Sequence, residues 1–181
     1  MARRVRLPKA NDLGFYEMRF ESVGGLGANL AGQLLAQALV VNQGLNGAHF
    51  SSYGSEKKGS PVKSYVRICL PEQEVRSSSP VERPQLLAVF HHCLLKVEGV
   101  LAGLYPDSIV VINSPDSVDE VRDLAKLPSG TLGVVDALAI AVEENTRINT
   151  AMLGAITRAA GFIDAGAVRQ TIADSFKAKY P

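Results

Sequence analysis

The fold is decided by residues 22–32, Ser22-Val-Gly-Gly-Leu-Gly-Ala-Asn-Leu-Ala-Gly32, where an apolar strand runs through a glycine turn into a long helix. Residues 16–22, which lead into it, alternate apolar and polar side chains with a period of two, which is typical of a strand with one buried face. We expect this to be the first strand of the sheet. The helix predicted from Gly27 to about Val41 is apolar around most of its circumference, with a narrow polar stripe of Asn29, Gln33 and Gln37. It should therefore be buried on more than one side.

The rest of the chain alternates between predicted strands and predicted helices. Further strands are expected at residues 48–51, 62–70, 86–90, 108–112 and 130–135, and helices at 91–103, 116–125, 137–144, 149–160 and 164–179. Ser114 or Asp116 is the expected N-cap of the helix at 116–125, and Asp136 that of the next helix. Residues 71–84, which contain three prolines, are expected to form a surface loop.

This alternation predicts a three-layer α/β/α sandwich with a mostly parallel, mixed central sheet. Residues 1–16 are expected to form an N-terminal arm and residues 17–181 a single α/β domain, because 181 residues that are 46% hydrophobic suit one core. The basic cluster of the arm, Arg3, Arg4, Arg6 and Lys9, resembles no targeting segment and is expected to be solvated or bound to a partner.

Charge and composition narrow the classes of partner. With 19 basic and 18 acidic residues the net charge is +1, so no global field favours nucleic acid or an anionic membrane. No apolar run reaches the roughly 18 residues of a membrane span. We expect a cytoplasmic protein whose two cysteines, Cys69 and Cys93, are reduced and buried. Two thiolates cannot hold an iron–sulfur cluster, which usually needs four.

The glycine turn is the first candidate site. Gly24, Gly25 and Gly27 precede a helix N-terminus, where backbone N–H groups and the helix dipole favour an anion. The dinucleotide fingerprint fails because its third glycine is Leu30, and a Walker loop fails because no Gly-Lys-Ser/Thr follows. The pattern leaves two interpretations, a nucleotide or phosphate site and tight strand-to-helix packing without a ligand, and it favours the second.

The second candidate is the segment from Tyr53 to Pro61 between two predicted strands. Its residues with binding potential are Tyr53, Gly54, Glu56, Lys57, Lys58 and Gly59. Two adjacent cations beside glycines are suited to phosphates or to the carboxylates of a partner. The residues alone favour the simpler interpretation, an ordinary charged hairpin tip.

Two polar clusters have simple structural interpretations. His91-His92-Cys93 contains metal-ligand types, but consecutive residues rarely converge on one ion, so a pair at a helix start making local hydrogen bonds is favoured. Capping of the following helix explains Asn145, Thr146, Asn149 and Thr150 without a ligand. The small residues Gly154, Ala155, Ala159 and Ala160 indicate close approach of another backbone, within the domain or across an interface.

Five segments in combination are more specific than any one of them. They are Gly24-Gly25-Leu26-Gly27, Ala31-Gly-Gln-Leu-Leu-Ala36, residues 52–62, residues 136–141 and Asn149-Thr-Ala-Met-Leu-Gly154. Together they resemble the gamma subunit of 2-oxoacid:acceptor oxidoreductases, the pyruvate/ketoacid:ferredoxin oxidoreductase family, and the match covers nearly the whole chain. The chain departs from the family at five positions. The family usually has glycine at 22, glutamine at 26, proline at 55 and arginines at 57 and 58, where this chain has Ser22, Leu26, Ser55, Lys57 and Lys58.

The resemblance implies a role within a larger enzyme. Complexes of this family decarboxylate a 2-oxoacid on thiamine diphosphate and pass electrons through iron–sulfur clusters to ferredoxin or another acceptor, and most form an acyl-CoA. Thiamine diphosphate, magnesium and the clusters are then expected on partner alpha, beta and delta subunits, with no catalytic residue, metal or cofactor of this chain's own.

Within such a complex, residues 53–59 are expected to face the active-site entrance. Lys57 and Lys58 would meet coenzyme A phosphates or form a salt bridge to a partner subunit. Two other classes of function stay open: a stand-alone nucleotide- or phosphate-binding α/β protein that uses the Gly24–Gly27 turn, and an interaction protein unrelated to redox chemistry. The oxoacid, the electron acceptor and the stoichiometry are not encoded in these motifs.

Overall fold

The structure is a computed structural model that describes residues 7–8, 10–53, 61–127 and 130–179. Arg3, Arg4, Arg6 and Lys9 of the basic arm lie outside these ranges. Six strands are described: β1 (Tyr16–Val23), β2 (Asn46–Tyr53), β3 (Pro61–Cys69), β4 (Leu86–Val89), β5 (Ile109–Asn113) and β6 (Thr131–Val135). The α-helices are α1 (Ala28–Gln37), α2 (Val118–Ala125), α3 (Ala137–Glu143), α4 (Ile148–Ala160) and α5 (Ala165–Lys179). A π-helical segment, Ala38–Asn42, continues α1, and His92–Lys96 form a short 3-10 helix.

The strands form one mixed sheet in the order β2-β3-β1-β4-β5-β6. β1, β4, β5 and β6 are parallel, whereas β3 runs antiparallel to both β1 and β2. The first strand of the chain therefore lies in the middle of the sheet, so the strand–turn–helix unit at residues 16–41 is central to the fold. The predicted mostly parallel, mixed α/β architecture is confirmed.

Helices and loops cover both faces of the sheet. On the first face, Met18, Phe20 and their neighbours pack under α1, α4 and α5. On the second face, Leu87 and Val89 pack against the 3-10 helix and α2. β4 is fully buried on both faces, which explains its continuous apolar sequence. No described helix has the length and apolar character needed to cross a membrane.

The second face of β1 carries charges and is nevertheless buried. Glu17, Arg19 and Glu21 all lie there with little or no exposure, so the expectation that only one face of this strand is buried is wrong. Residues 71–84 form the predicted loop, and together with residues 97–103 they cover this face. Arg19 holds both segments by donating to the carbonyl oxygens of Val81 (3.3 Å), Glu82 (3.1 Å), Val100 (2.9 Å) and Ala102 (2.9 Å).

Two local predictions are wrong. The helix expected at 91–103 is only the 3-10 helix followed by turns, because Gly99 and Gly103 adopt positive φ angles of 86° and 79°. The helix expected at 116–125 begins at Val118 and is capped by Ser117, which forms a capping box with Glu120. Ser114 and Asp116 instead hydrogen-bond to each other at 2.8 Å.

Two other predictions of helix ends are correct. Asp136 caps α3 as expected, accepting from the Ala139 amide at 2.9 Å. Gly161, where a break between helices was expected, ends α4 in the left-handed conformation.

Candidate functional site

The carboxyl ends of β1, β4, β5 and β6 meet at one edge of the sheet. We call this the carboxyl edge; it comprises residues 23–27, 90–93, 113–114 and 135–137. After β1 the chain leaves toward the first face through α1, whereas after β4 it leaves toward the second face through the 3-10 helix. The gap between β1 and β4 is therefore a topological switch point, the place where open α/β sheets form ligand crevices.

The glycine turn lies on this edge and is shaped by both backbone and packing. Gly25 and Gly27 have φ angles of 100° and 80°, which side chains other than glycine rarely adopt. Gly27 is also the N-cap residue of α1, without a side-chain cap. A Cβ atom at Gly27 would lie 3.0 Å from Asn149 Nδ2. Gly27 is thus required where the turn meets α4, which agrees with the packing interpretation; an anion at Gly24, Gly25 and Gly27 stays a prediction.

A cavity of about 390 Å³ opens beside this turn. Its walls come from the turn, from the starts of α1 and α4, and from α3 along its length, and they include Leu26, Leu30, Leu138, Val142, Arg147 and Asn149. Asn149 is only 4% exposed, and its Oδ1 has no hydrogen-bond partner within the described ranges of the chain. The expectation that helix α4 is capped by Asn145, Thr146, Asn149 and Thr150 is wrong, because Arg147 occupies the N-cap position of α4 and makes no capping hydrogen bond with its side chain. The cavity therefore combines apolar walls with a cationic residue and an unsatisfied acceptor.

Helix α3 exposes apolar side chains next to this cavity. Leu138 is 56% exposed and Val142 75% exposed, and Ile140 is also exposed. Leu138 and Val142 also line the cavity. Three exposed large apolar residues on a seven-residue helix are unusual for a surface in contact only with water, and they are typical of a surface that meets a partner.

The segment with the two lysines is attached to the same edge. Gly54, Glu56, Lys57, Lys58 and Gly59 lie outside the described residues, as does the side chain of Tyr53. The strands on either side are described: Tyr53 pairs with Val62 at the end of the β2–β3 hairpin, and Pro61 pairs with Val23 at the end of β1. Both ends of the segment therefore start beside the glycine turn.

The cluster His91-His92-Cys93 follows β4 on the carboxyl edge. The predicted local hydrogen bonding is confirmed, since His91 Nδ1 accepts from the Cys93 amide at 3.2 Å. The two imidazole rings have centroids 5.0 Å apart. The three side chains also bring their ligand atoms within 4.8 Å of one another, contrary to the expectation that consecutive residues do not converge.

Both cysteines are free, but only Cys69 is buried, so the expectation of two buried thiols is wrong for Cys93. Cys69 donates to the carbonyl oxygen of Gln73 at 3.2 Å, and burial raises its pKa. Cys93 is exposed on the carboxyl edge.

A second cavity, of about 320 Å³, lies at the opposite edge of the sheet, beside the first residues of β1 and β5. Tyr16, Gln85, Tyr105 and Ile109 are among its lining residues. Burial raises the pKa of Tyr16, which keeps its hydroxyl protonated. Of the predicted site residues that the structure describes, none lines this cavity.

Comparison with known proteins decides the family. Residues 17–180 match the model of the pyruvate ferredoxin/flavodoxin oxidoreductase family. The chain belongs to this family.

Its relatives share most of their length with it. The common gamma subunit of the pyruvate/ketoisovalerate oxidoreductases of Pyrococcus abyssi is 35% identical over 162 residues, covering 88% of this chain and 86% of the relative. The gamma subunit of the NADH-dependent phenylglyoxylate dehydrogenase of Aromatoleum evansii is 30% identical, covering 88% and 83% of the two chains. The crystal structure of the pyruvate oxidoreductase subunit PORC from Thermotoga maritima has a TM-score of 0.78 at 30% identity, covering 90% of this chain and 85% of that one.

The cysteines of this chain determine whether it could itself hold an iron–sulfur cluster. The full sequence has two cysteines, and Cys69 and Cys93 lie in different environments, one buried and one exposed. A four-thiolate cluster does not fit this chain. The chain corresponds to the gamma subunits of these complexes, which the sequence motifs at residues 24–27 and 149–154 indicated.

Sequence reasoning missed the charged cluster behind the carboxyl edge. Buried Glu21 lies 3.0 Å from Arg19 Nε and 3.4 Å from Lys63 Nζ. Burial raises the pKa of Glu21, and the charges of Lys63 and Arg19 oppose this shift. Glu17 forms a second pair with Arg67 at 2.6 Å. Glu17 lies opposite Arg67, and Glu21 lies opposite Lys63, across β1 and β3. The sequence therefore contains these charge pairs, but they can be recognised only when the register of the two strands is known.

Proposed function

We propose that this chain is the subunit that docks, through its carboxyl edge, on the subunits that carry thiamine diphosphate, magnesium and the iron–sulfur clusters of a 2-oxoacid:acceptor oxidoreductase. It supports assembly of the complex and access to the active site, and it carries no redox cofactor itself. The partners are the alpha, beta and delta subunits, with ferredoxin or another acceptor receiving the electrons. The observation that carries this proposal is the convergence of the glycine turn, both ends of segment 54–60 and the exposed apolar face of α3 on one edge.

The position of the lysine segment supports a role at the active-site entrance. β2 and β3 hold its ends beside the switch point between β1 and β4. In this proposal Lys57 and Lys58 bind coenzyme A phosphates or form a salt bridge to a partner subunit. Lysine ammonium groups act as point charges, whereas the guanidinium of arginine binds both phosphate and carboxylate in a bidentate manner. An exchange of lysine for arginine therefore keeps either role, and the two roles are distinguished by which measurement a loss of charge changes.

The apolar surface at the same edge supports docking rather than a stand-alone role. Burying Leu138, Ile140 and Val142 against a partner would remove apolar area from water, which would stabilise the complex by roughly 25 cal/mol for each Å² buried. The relatives are named as gamma subunits of multisubunit oxidoreductases, so an independent nucleotide-binding protein is not favoured. Their names differ in the 2-oxoacid, and only the second of the two names includes a redox partner, NADH, so the proposal stays at the level of the 2-oxoacid class.

The test is a double substitution in the complete complex, Lys57→Ala with Lys58→Ala. A KM for coenzyme A raised about tenfold or more, with all subunits still co-purifying, supports coenzyme A binding. Loss of co-purifying subunits supports the salt bridge. Unchanged kinetics together with unchanged assembly contradicts both roles.

Two control variants sharpen this experiment. Arg169→Ala with Lys177→Ala removes the same charge from exposed positions of α5, and it should leave the KM and the assembly unchanged. Lys57→Arg with Lys58→Arg keeps the charge and introduces the planar, bidentate group. This variant should retain the partner subunits if the segment forms the salt bridge, and it should keep the KM for coenzyme A within about twofold of the parent value, or lower it, if the segment binds coenzyme A.

A further inference from the structure

We propose that His91, His92 and Cys93 form a binding site for a borderline divalent metal ion of the zinc class at the carboxyl end of β4. Their ligand atoms lie within 4.8 Å of one another. Ligands of one tetrahedral Zn²⁺ are about 3.3–3.6 Å apart, given bond lengths near 2.0 Å to nitrogen and 2.3 Å to sulfur. The largest separation therefore exceeds the tetrahedral spacing by about 1.2–1.5 Å, which is within the reach of side-chain rotation.

The backbone on both sides of the cluster is fixed. Phe90, just before His91, is fully buried; its amide donates to the Glu21 carbonyl at 2.9 Å, and its own carbonyl accepts from Asn113 Nδ2 at 2.9 Å. Just after Cys93, the amide of Leu94 donates to the carbonyl oxygen of His91 at 3.0 Å, and the Leu94 side chain is buried in the core. The three donor side chains thus project from a short segment anchored at both ends, so metal binding orders little additional chain.

Asn113 ties this anchor to the rest of the carboxyl edge. Its Oδ1 accepts from the Ala137 amide at the start of α3, at 2.9 Å, while its Nδ2 holds the Phe90 carbonyl. The side chain is itself 8% exposed. The cluster is therefore part of the same rigid edge as the cavity and α3, and it follows a strand that borders the switch point.

The chemistry of the donors selects the class of metal. Two imidazoles and one thiolate suit Zn²⁺ and similar borderline cations, whereas Ca²⁺ and Mg²⁺ prefer oxygen ligands. Three protein ligands leave the fourth tetrahedral position for water or for a donor from outside the chain, as in open zinc sites.

Metal binding competes with one existing contact. A neutral imidazole has a single lone pair, and in His91 the lone pair on Nδ1 now accepts from the Cys93 amide. The metal would take this lone pair, and the released amide lies at an exposed residue where water can replace its partner. The thiol must lose its proton on binding, so the affinity should fall as the pH is lowered.

The test is a titration of the untagged full chain with Zn²⁺ in competition with a chromophoric chelator. We expect one Zn²⁺ per chain, with affinity lowered at least about tenfold by either Cys93→Ser or His92→Ala. Replacing Zn²⁺ by Co²⁺ should give a thiolate-to-cobalt charge-transfer band that Cys93→Ser abolishes. The matched controls are Cys69→Ala and His49→Gln, which remove a cysteine and a histidine away from the cluster and should change neither signal.

Each result of the zinc titration either supports or overturns the proposed site. All exchanged side chains at the cluster are exposed or partly exposed, so the variants should keep the circular dichroism spectrum of the parent chain. Stoichiometric binding that depends on Cys93 and His92 supports the site. Absence of competition with the chelator, or binding equal in the parent and in the Cys93→Ser and His92→Ala variants, overturns it. The result is independent of complex assembly, so failure here leaves the proposed subunit role untouched.

Discussion

At the scale of single residues, Gly32 shows how closely α1 approaches the sheet. A Cβ atom at Gly32 would overlap Ser64 Oγ and lie 2.8 Å from His49 Cδ2. Ser64 is fully buried, and its hydroxyl lies 3.0 Å from His49 Nε2, so a shift of Ser64 away from the new methyl group would disturb this contact. The glycine is therefore needed for helix-to-sheet packing, although it is a poor helix former.

Substitution of this glycine should reveal that contact. Gly32→Ala should lower the free energy of unfolding by about 1–3 kcal/mol through overpacking, despite the better helix propensity of alanine. Gly154→Ala is the matched control: Gly154 is also within a helix, but outside the backbone of that helix no described residue comes within 4 Å of its Cβ position, so this change should raise stability by about 0.5–1 kcal/mol. Urea denaturation of the two variants measures both effects, and equal stability changes would contradict the packing argument.

His49 gives the stability a dependence on pH. Burial lowers the pKa of His49 below its ordinary value of about 6.5, so the folded state keeps the ring neutral where the unfolded state already binds a proton. The stability that depends on the neutral His49 ring is therefore complete above the pKa that His49 has in the unfolded chain, and it is lost as the pH falls below about 6.5.

The comparison of His49→Gln with the parent chain isolates this effect. Urea denaturation at about pH 7.5 and at about pH 5.5 should show a larger loss of stability on acidification for the parent than for the variant. His91 and His92 are present in both proteins and cancel in the comparison. An identical loss in the two proteins would show that His49 titrates alike in the folded and unfolded states.

At the scale of elements, the loops of the second face are held by buried arginines as well as by apolar packing. Arg19 links residues 81–82 and 100–102 to β1, and Arg67 donates to the carbonyl oxygens of Ser77 at 2.5 Å and Ser79 at 3.2 Å. The buried carboxylates of Glu21 and Glu17 accompany these two cations. Removing one partner of such a pair leaves a buried charge without compensation.

Arg19→Met should therefore destabilise the protein by about 3–5 kcal/mol, because it takes the donors away from four carbonyl oxygens and leaves buried Glu21 with Lys63 but without its nearer cation. Arg76→Met removes an arginine whose pair with Glu74, at 2.8 Å, is largely exposed, and it should cost no more than about 1 kcal/mol. Chemical denaturation measures both changes. A cost for Arg19→Met as small as that for Arg76→Met would contradict the structural role of the cluster.

The elements differ in how far their sequences predict them. Period-two alternation and continuous apolar runs located β1, β3, β4 and β5, because these patterns follow directly from strand geometry. The prediction of a helix at 91–103 is wrong because Leu94, Leu95 and Val100 enter the core from a 3-10 helix and turns. Their spacing in the sequence resembles the apolar spacing of an α-helix. Buried Glu21 was missed because periodicity cannot tell a solvated face from a charged face that loops cover.

The candidate site was predicted in part. The glycine turn and the position of the lysine segment between two strands follow from local sequence, and the structure places both on one edge. The cavity with the unsatisfied Asn149 depends on α4 packing against Gly27 across more than 100 residues of chain, which no local pattern contains. The convergence of His91, His92 and Cys93 depends in turn on a 3-10 geometry that the sequence did not reveal.

At the scale of the whole molecule, the carboxyl edge has the features of an interface. The division into an arm up to residue 16 and one domain stays a prediction, and Leu7 of the arm packs against the same core as α1. If the apolar face of α3 meets a partner subunit, Val142→Asp should weaken assembly strongly while leaving the chain's own stability within about 0.5 kcal/mol, because this side chain is 75% exposed.

Val41→Asp is the control for this change. Val41 is 68% exposed and lies at the far end of the helix that starts at the glycine turn. Introducing the same charge there should leave assembly intact. Quantitative co-purification of each tagged variant with its partner subunits measures the effect, and equal retention of partners by both variants would place the interface elsewhere.

The central claim is that this chain works only as a subunit of a 2-oxoacid:acceptor oxidoreductase. Its most direct test is purification of the tagged, unaltered chain from its native cells, followed by an assay of 2-oxoacid-dependent reduction of an electron-accepting dye. We predict that the chain carries with it subunits containing thiamine diphosphate and iron–sulfur clusters, that the complex reduces the dye, and that the separated chain does not. Recovery of the chain alone, with no 2-oxoacid oxidation in any fraction that contains it, would contradict this account.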